Sequence, residues 1–162
     1  PLRVVHSDTK LTNILFSLQG KATGVIDLDT VMAGSALHDF GDAIRCLANT
    51  AEEDEPDLSL VQFDFEAFES FARGYLEAAG AILTKTETQL LAESAMLMTY
   101  IIGLRFLTDH LNGDIYYRIS YPGHNLVRAR VQFRLLQLMY ASRDHMKDII
   151  FQLCKSYSLS EL

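Results

Sequence analysis

His6-Ser7-Asp8-Thr9-Lys10-Leu11-Thr12-Asn13, followed by Ile26-Asp27-Leu28-Asp29, is the stretch from which the fold is read. The polar string sits among short β-branched or apolar runs at residues 2–5, 14–18 and 23–28. Gln19-Gly20-Lys21 supplies a turn between the last two, which predicts a hairpin. A carboxylate at Asp8 and a carboxamide five residues later can face one cleft across a tight loop, and Asp27, 19 positions after Asp8, stands at the tip of the following strand. Phosphoryl transfer calls for such a set. It needs little covalent help, but it needs an in-line hydroxyl and divalent cations that neutralise phosphate charge. Magnesium prefers hard anionic oxygens such as that of Asp27. Taken alone, His6, Asp8 and Asn13 also fit a polar turn between strands, and that reading stays open at this point.

The first segment resembles the H-G-D-x-x-x-x-N catalytic loop of aminoglycoside and choline kinase-like phosphotransferases, with Ser7 in place of the Gly, and the second resembles their I-D metal-binding strand end. The resemblance implies that Asp8 is the catalytic base or hydroxyl-orienting residue. It implies that Asn13 and Asp27 are Mg2+ ligands and so hold the ATP phosphates, and that His6 supports the loop. Asp39-Phe40-Gly41 imitates the D-F-G metal motif of protein kinases but lies 31 positions after Asp8. In the class resembled here, an Asp in a pattern similar to His38-Asp39-Phe40-Gly41-Asp42 supports the catalytic loop through hydrogen bonds. Asp39 is therefore expected to be structural.

Within that class the chain is most similar to sugar 1-kinases acting on N-acetylhexosamines. The similarity is carried by Asp8-Thr9-Lys10, by residues 25–32, by His38-Asp39-Phe40-Gly41-Asp42, and by Gly103-Leu104-Arg105-Phe106-Leu107-Thr108-Asp109 with the residues through Tyr117. It implies that Arg105, Tyr116 and Tyr117 line a sugar pocket. Arg offers planar donors to hydroxyls or an acetamide oxygen, and Tyr an amphipathic face with a polar tip. The alternative for Arg105 is an i,i+4 ion pair with Asp109. Asp29 could bind sugar, hold a metal-bound water, or cap its turn.

Outward from the loop, the period changes from strand to helix. Residues 36–46 read as a short helix, and residues 51–57, with five carboxylates and Pro56, as an exposed loop or local linker. Phe65, Phe68, Phe71, Ala72, Tyr75, Leu76 and Ala79 form a helical core stripe, with Gly80 placed to end it in a left-handed residue. Thr84 with Glu87, and Thr86 with Gln89, both fit a capping box before a long helix reaching about His110. Asn112-Gly113-Asp114 breaks that helix. Two more helical patterns cover residues 125–142 and 144–157. The expected fold is α+β: the mainly helical C-terminal, catalytic and substrate-binding lobe of a protein kinase-like fold, with a short β-hairpin at the cleft.

The 162 residues, 49% hydrophobic, suffice for one domain with a core. A net charge of -7 gives no electrostatic footprint for nucleic acid or anionic membrane. The apolar stretch at residues 95–107 carries Arg105 and is too short for a span, which needs about 20 residues. Cys46 and Cys154 have neither disulfide nor zinc spacing, and read as buried free thiols of a cytoplasmic protein. Arg128, Arg130 and Arg134 read as a solvated basic face, and His124 as an ordinary polar residue. No Gly-rich phosphate loop, strand lysine motif or Walker A sequence is present in these residues. The expectation is thus a lobe separated from an N-terminal nucleotide-binding lobe, inactive alone and self-associating as a homodimer through its uncovered cleft side. A small-molecule sugar is the expected substrate. A kinase of another small alcohol, such as an aminoglycoside or a choline-like compound, and a non-catalytic pseudokinase-like module are the competing readings. A sulfatase is rejected, because neither cysteine lies in a C-x-P-x-R-like sequence.

Overall fold

The computed structural model describes residues 1–157. They form a mixed α+β structure in which helices predominate. β1 (Arg3–Val5) pairs antiparallel with β4 (Met32–Gly34), with Val4 opposite Ala33. β2 (Ile14–Phe16) pairs antiparallel with β3 (Ala22–Val25), with Leu15 opposite Gly24. These are two separate two-stranded sheets, and they bracket the loop that begins at His6. Six helices follow among the described residues: α1 (Ala36–Leu47), α2 (Phe65–Ala79), α3 (Lys85–Gln89), α4 (Leu91–Leu111), α5 (His124–Ala141) and α6 (Arg143–Ser156).

Local chemistry fixes the helix starts. Ser35 Oγ accepts the Leu37 N–H at the head of α1, and Asp64 Oδ1 accepts the N–H groups of Glu66 and Ala67 at the head of α2. Thr84 and Glu87 form a reciprocal capping box on α3. The core gathers Phe40 and Ile44 from α1, Phe68 and Leu76 from α2, Leu91 from α4, Leu135 and Met139 from α5 and Met146 from α6. Each such side chain contributes about 1.5–3 kcal/mol of burial. α4 is long and apolar enough to cross a membrane by length and composition, but half of that length is buried inside the molecule. Two glycines let it approach its neighbours. A Cβ on Gly41 would stand 2.3 Å from Ser94 O, and one on Gly103 would stand 2.9 Å from the Phe133 ring.

Several local expectations are corrected. The hairpin strands are shorter than residues 14–18 and 23–28: β2 stops at Phe16, just past a register irregularity between Leu15 and Phe16, and β3 stops at Val25, two residues before the left-handed Asp27. β4 was not foreseen; its short Met32–Gly34 run carries no alternation. Gly80 is right-handed (φ −54°) and leads into a 3-10 turn, Gly80–Ile82, instead of ending α2 with a left-handed residue. Of the two capping boxes only that of Thr84 and Glu87 forms. It caps the short α3, and Leu90 separates α3 from α4.

Candidate active site

The first turn of α1 holds the loop after β1. Asp39 accepts the backbone N–H of His6 on Oδ2 at 2.7 Å and that of Ser7 on Oδ1 at 2.8 Å. Asp42 Oδ2 accepts the Thr9 N–H at 2.9 Å, and Thr9 Oγ1 donates to the Asp39 carbonyl at 2.8 Å. Two carboxylates about one turn apart thus satisfy three backbone donors, those of His6, Ser7 and Thr9, in a loop that belongs to neither sheet. From the other side Thr30 Oγ1 donates to the His6 carbonyl at 2.6 Å, and His6 Nε2 lies 3.3 Å from the Ile26 carbonyl. The His6 ring therefore spans from the loop to the end of β3. Ser7 adopts φ +65°, the left-handed region that glycine enters without steric cost.

Asp8 projects from this loop with its side chain about one-fifth exposed. Asn13 Nδ2 donates to the Asp8 carbonyl at 3.0 Å and to its Oδ2 at 3.2 Å. Lys10 Nζ lies 2.9 Å from the same Oδ2. Burial works against the Lys10 charge, but the hydrogen bond and Coulombic attraction of Asp8 outweigh it and raise the ammonium pKa. Asp8 is thereby aimed by a neutral donor and a cation on one oxygen.

Asn13 is buried and presents its Oδ1 with no hydrogen-bond donor among the described residues. The Ile26 N–H donates to the Asn13 carbonyl at 2.9 Å, which brings Asp27 beside the loop. Asp27 itself is left-handed (φ +64°), exposed, and makes no side-chain hydrogen bond among the described residues. One free carboxylate and one free carboxamide oxygen suit magnesium, which keeps several waters and takes one or two carboxylates together with substrate phosphates. Among the described residues no group of three or more His, Cys, Asp or Glu side chains forms a closed metal cage. Asp29 is exposed in the 3-10 turn Leu28–Thr30, and its side chain has no hydrogen-bonded partner among the described residues.

Asp8 opens on a cavity of about 430 Å³ whose far wall is built by Arg105, Tyr116 and Tyr117, while Asp27 and Asn13 lie outside its lining. The volume is within the roughly 300–1,000 Å³ usual for small-molecule sites. Arg105 is not paired with Asp109. It donates to Tyr116 Oη at 3.4 Å and stacks 5.7 Å from the Tyr116 ring and 5.5 Å from that of Tyr117. Asp109 is turned inward instead, where it accepts the backbone N–H groups of Ile115, Tyr116 and Tyr117 and the Asn125 amide. Burial disfavours its charge, but the three backbone donors prevail and depress its pKa. A wider hollow of about 630 Å³ continues from Arg105 and the two tyrosines along α4. Another of about 470 Å³, between α3, the start of α4 and α6, shares no residue with the Asp8 cavity.

Residues 51–57 form the exposed loop expected from their charge, with Glu52, Glu53, Pro56 and Asp57 exposed, and two of its carboxylates reach partners on the helices. Glu53 lines the cavity, 3.4 Å from Arg128 Nε and 3.7 Å from Arg45 Nη1. Asp54 Oδ2 accepts from Tyr121 Oη at 3.2 Å and lies 3.1 Å from His124 Nε2. Of the five carboxylates, Glu53 faces cations of α1 and α5 while Glu52 and Asp57 stay in water. Arg128 is correspondingly not part of a solvated face: it lies 5.4 Å over the Phe106 ring in the cavity wall. Arg45, Glu53 and Arg118 carry no sequence signal for this cavity, and Arg128 reads only as part of a basic face, because their neighbours in the cavity are distant in the chain. Lys10 and Asp42 lay inside quoted motifs, and the i,i+3 spacing of Asp42 and Arg45 was the one local signal for that buried pair, 2.7 Å apart.

The family model described as phosphotransferase enzyme family, APH, matches residues 1–87, more than half of the chain. The match runs from β1 into α3 and includes Asp8, Asn13, Asp27, Asp39 and Asp42. Arg105, Tyr116 and Tyr117 lie beyond it, so their place beside Asp8 rests on the geometry of α4 and the segment after it.

Proposed function

The chain belongs to the phosphotransferase enzyme family, and from that premise we propose that it forms the catalytic and acceptor-binding lobe of an ATP- and Mg2+-dependent small-molecule kinase. Its acceptor in this reading is the anomeric hydroxyl of an N-acetylhexosamine or related sugar. The observation that carries the reading is the single cavity that has Asp8 on one wall and Arg105, Tyr116 and Tyr117 on the other.

In this account the acceptor lies between the two walls, with its tyrosine-facing side stacked and its oxygens bonded to Arg105. Asp8 orients the attacking hydroxyl and receives its proton. The acceptor oxygen bonds to the γ-phosphorus as the bond to the β,γ-bridging oxygen breaks, and ADP departs. Asn13 keeps the Asp8 carboxylate in line, and Lys10 lies where it can balance negative charge gathering on the transferred group. Magnesium, held by Asn13 Oδ1 and Asp27, would supply neutralisation of the nucleotide phosphates. The exposed apolar residues of the two sheets and of the turn between β2 and β3, among them Val4, Phe16, Leu18 and Met32, offer a seat for a nucleotide-gripping lobe outside these residues.

The test is a phosphorus NMR assay of the full-length protein with Mg·ATP and N-acetylhexosamine, amino-sugar antibiotic or choline as acceptor. A new anomeric phosphate signal with the hexosamine alone is expected. Transfer to choline or the antibiotic, with none to any sugar anomeric centre, refutes the assignment.

A further inference from the structure

The chain carries a net charge of -7, yet cations prevail in the cavity beside Asp8. Lys10 is matched by Asp8, and Arg45 by Asp42 at 2.7 Å. Glu53 is shared between Arg45 and Arg128 at 3.7 and 3.4 Å, distances too long for good charge-assisted hydrogen bonds. Arg105 and Arg118 have no ion-pair partner among the described residues. Arg128 Nε is buried in the wall with the Glu53 carboxylate 3.4 Å away and no well-formed hydrogen bond to it, so a better-placed anionic acceptor would be favoured there. Arg128 also donates from Nη1 to the Arg118 carbonyl at 3.2 Å, which fixes the two residues beside each other.

We propose that Arg105, Arg118 and Arg128 form a subsite for an anionic substituent, so that the acceptor is a sugar carrying a carboxylate or a phosphate ester away from the reacting hydroxyl. This rests on the phosphotransferase reading of the cavity and narrows its acceptor. A carboxylate or phosphate matches the planar donor fork of arginine, and its charge cancels the local excess. An amino sugar or choline brings a further positive charge to the same wall and is disfavoured there. Glu53 is the internal anion that such a ligand displaces or outcompetes.

The same arginines could serve a second anion, the transferred phosphate of the nucleotide, and the experiment separates the two sources. Calorimetry on the full-length protein compares N-acetylglucosamine, its 6-phosphate, its uronic acid and glucosamine, and separately a non-hydrolysable ATP analogue with Mg2+. At least one anionic sugar is expected to bind about tenfold or more tightly than the neutral parent, with glucosamine weakest. Arg118→Gln, at an exposed position, removes that preference while the neutral sugar and the ATP analogue bind as before. Glu53→Gln tightens the anionic sugar. Equal binding of charged and neutral sugars, or no sugar binding, overturns the proposal. So does an Arg118→Gln variant that weakens the ATP analogue and leaves the sugar ranking intact. Because binding is read without turnover, failure here leaves the role of Asp8 standing, and loss of that role leaves the ranking measurable.

Discussion

Asp109 Oδ2 accepts the backbone N–H of Tyr117 at 2.9 Å, although the two residues sit on opposite sides of the break that ends α4. With Oδ1 holding Ile115 and Tyr116, one carboxylate shapes the turn that presents both tyrosines to the Asp8 cavity. Asp109→Ala leaves three backbone donors without their acceptor and takes from Asn125 Nδ2 one of its two, the other being Asp114. The expected result is a rise in acceptor KM of roughly tenfold or more, with little change in the KM for ATP, since small misplacements of positioning groups weigh heavily on rate. An unchanged acceptor KM would show that the tyrosines do not meet the substrate.

Ser7 occupies the left-handed position between His6 and Asp8, at φ +65°. A residue with a Cβ there costs about 1–2 kcal/mol, which gives a physical reason for the glycine in the related H-G-D pattern. Ser7→Gly is expected to leave stability equal or raise it by up to about 1 kcal/mol, while Ser7→Val lowers it by about 1–2 kcal/mol. Urea unfolding measures both, and a Val variant as stable as the parent would contradict the assigned conformation.

Gly41 sets the distance between α1 and α4, since a Cβ there would lie 2.3 Å from Ser94 O and 2.7 Å from Met98 Cγ. Gly41→Ala should destabilise by about 1–3 kcal/mol through overpacking. It should also lower kcat, because α1 carries Asp39 and Asp42, which grip the loop of Asp8. Parent-like melting and turnover would show that the crossing is looser than described.

Glu87 is held well below the usual carboxylate range, at about 2, foremost by its hydrogen bond to Arg3, against the cost of burial. A depressed folded pKa stabilises above the unfolded value and loses that contribution as pH falls from about 4.5 toward 2. Melting temperature should therefore drop across that window, and Arg3→Gln should flatten the drop. An unchanged acid profile in Arg3→Gln would mean that this pair, which ties β1 to the start of α3, does not form in solution. Of the two free thiols Cys154 is buried and Cys46 only partly so; desolvation pushes the Cys46 thiol up to about 11, so thiol reagents should modify it slowly at neutral pH in the native state. Rapid labelling there would contradict the raised thiol pKa.

What could be read from sequence was local. Asp8, Asn13 and Asp27 stand out because turn chemistry and fixed spacing confine them to a few conformations, and the helical stripe of Phe68, Ala72 and Leu76 because its period is set by the backbone. The pairing of β1 with β4 was invisible, since its three-residue strands carry no pattern that separates them from loop. The acidic segment is the exposed loop its charges predict, but its ion pairs were invisible for a related reason. Glu53 and Asp54 look solvated when only their neighbours in the chain are counted, and they become anchors once α1 and α5 bring Arg45, Arg128 and His124 to them. The inward turn of Asp109, away from Arg105, depended on backbone donors in a segment whose path no periodicity foretells.

The central claim is that Asp8 positions and deprotonates the acceptor hydroxyl. Its most direct test is steady-state turnover of the Asp8→Asn variant of the full-length protein, with ATP binding and thermal unfolding measured in parallel. The account predicts a fall in kcat of about 10²–10⁴ with ATP affinity and folding preserved, whereas turnover equal to that of the parent would remove Asp8 from the chemistry and contradict the account.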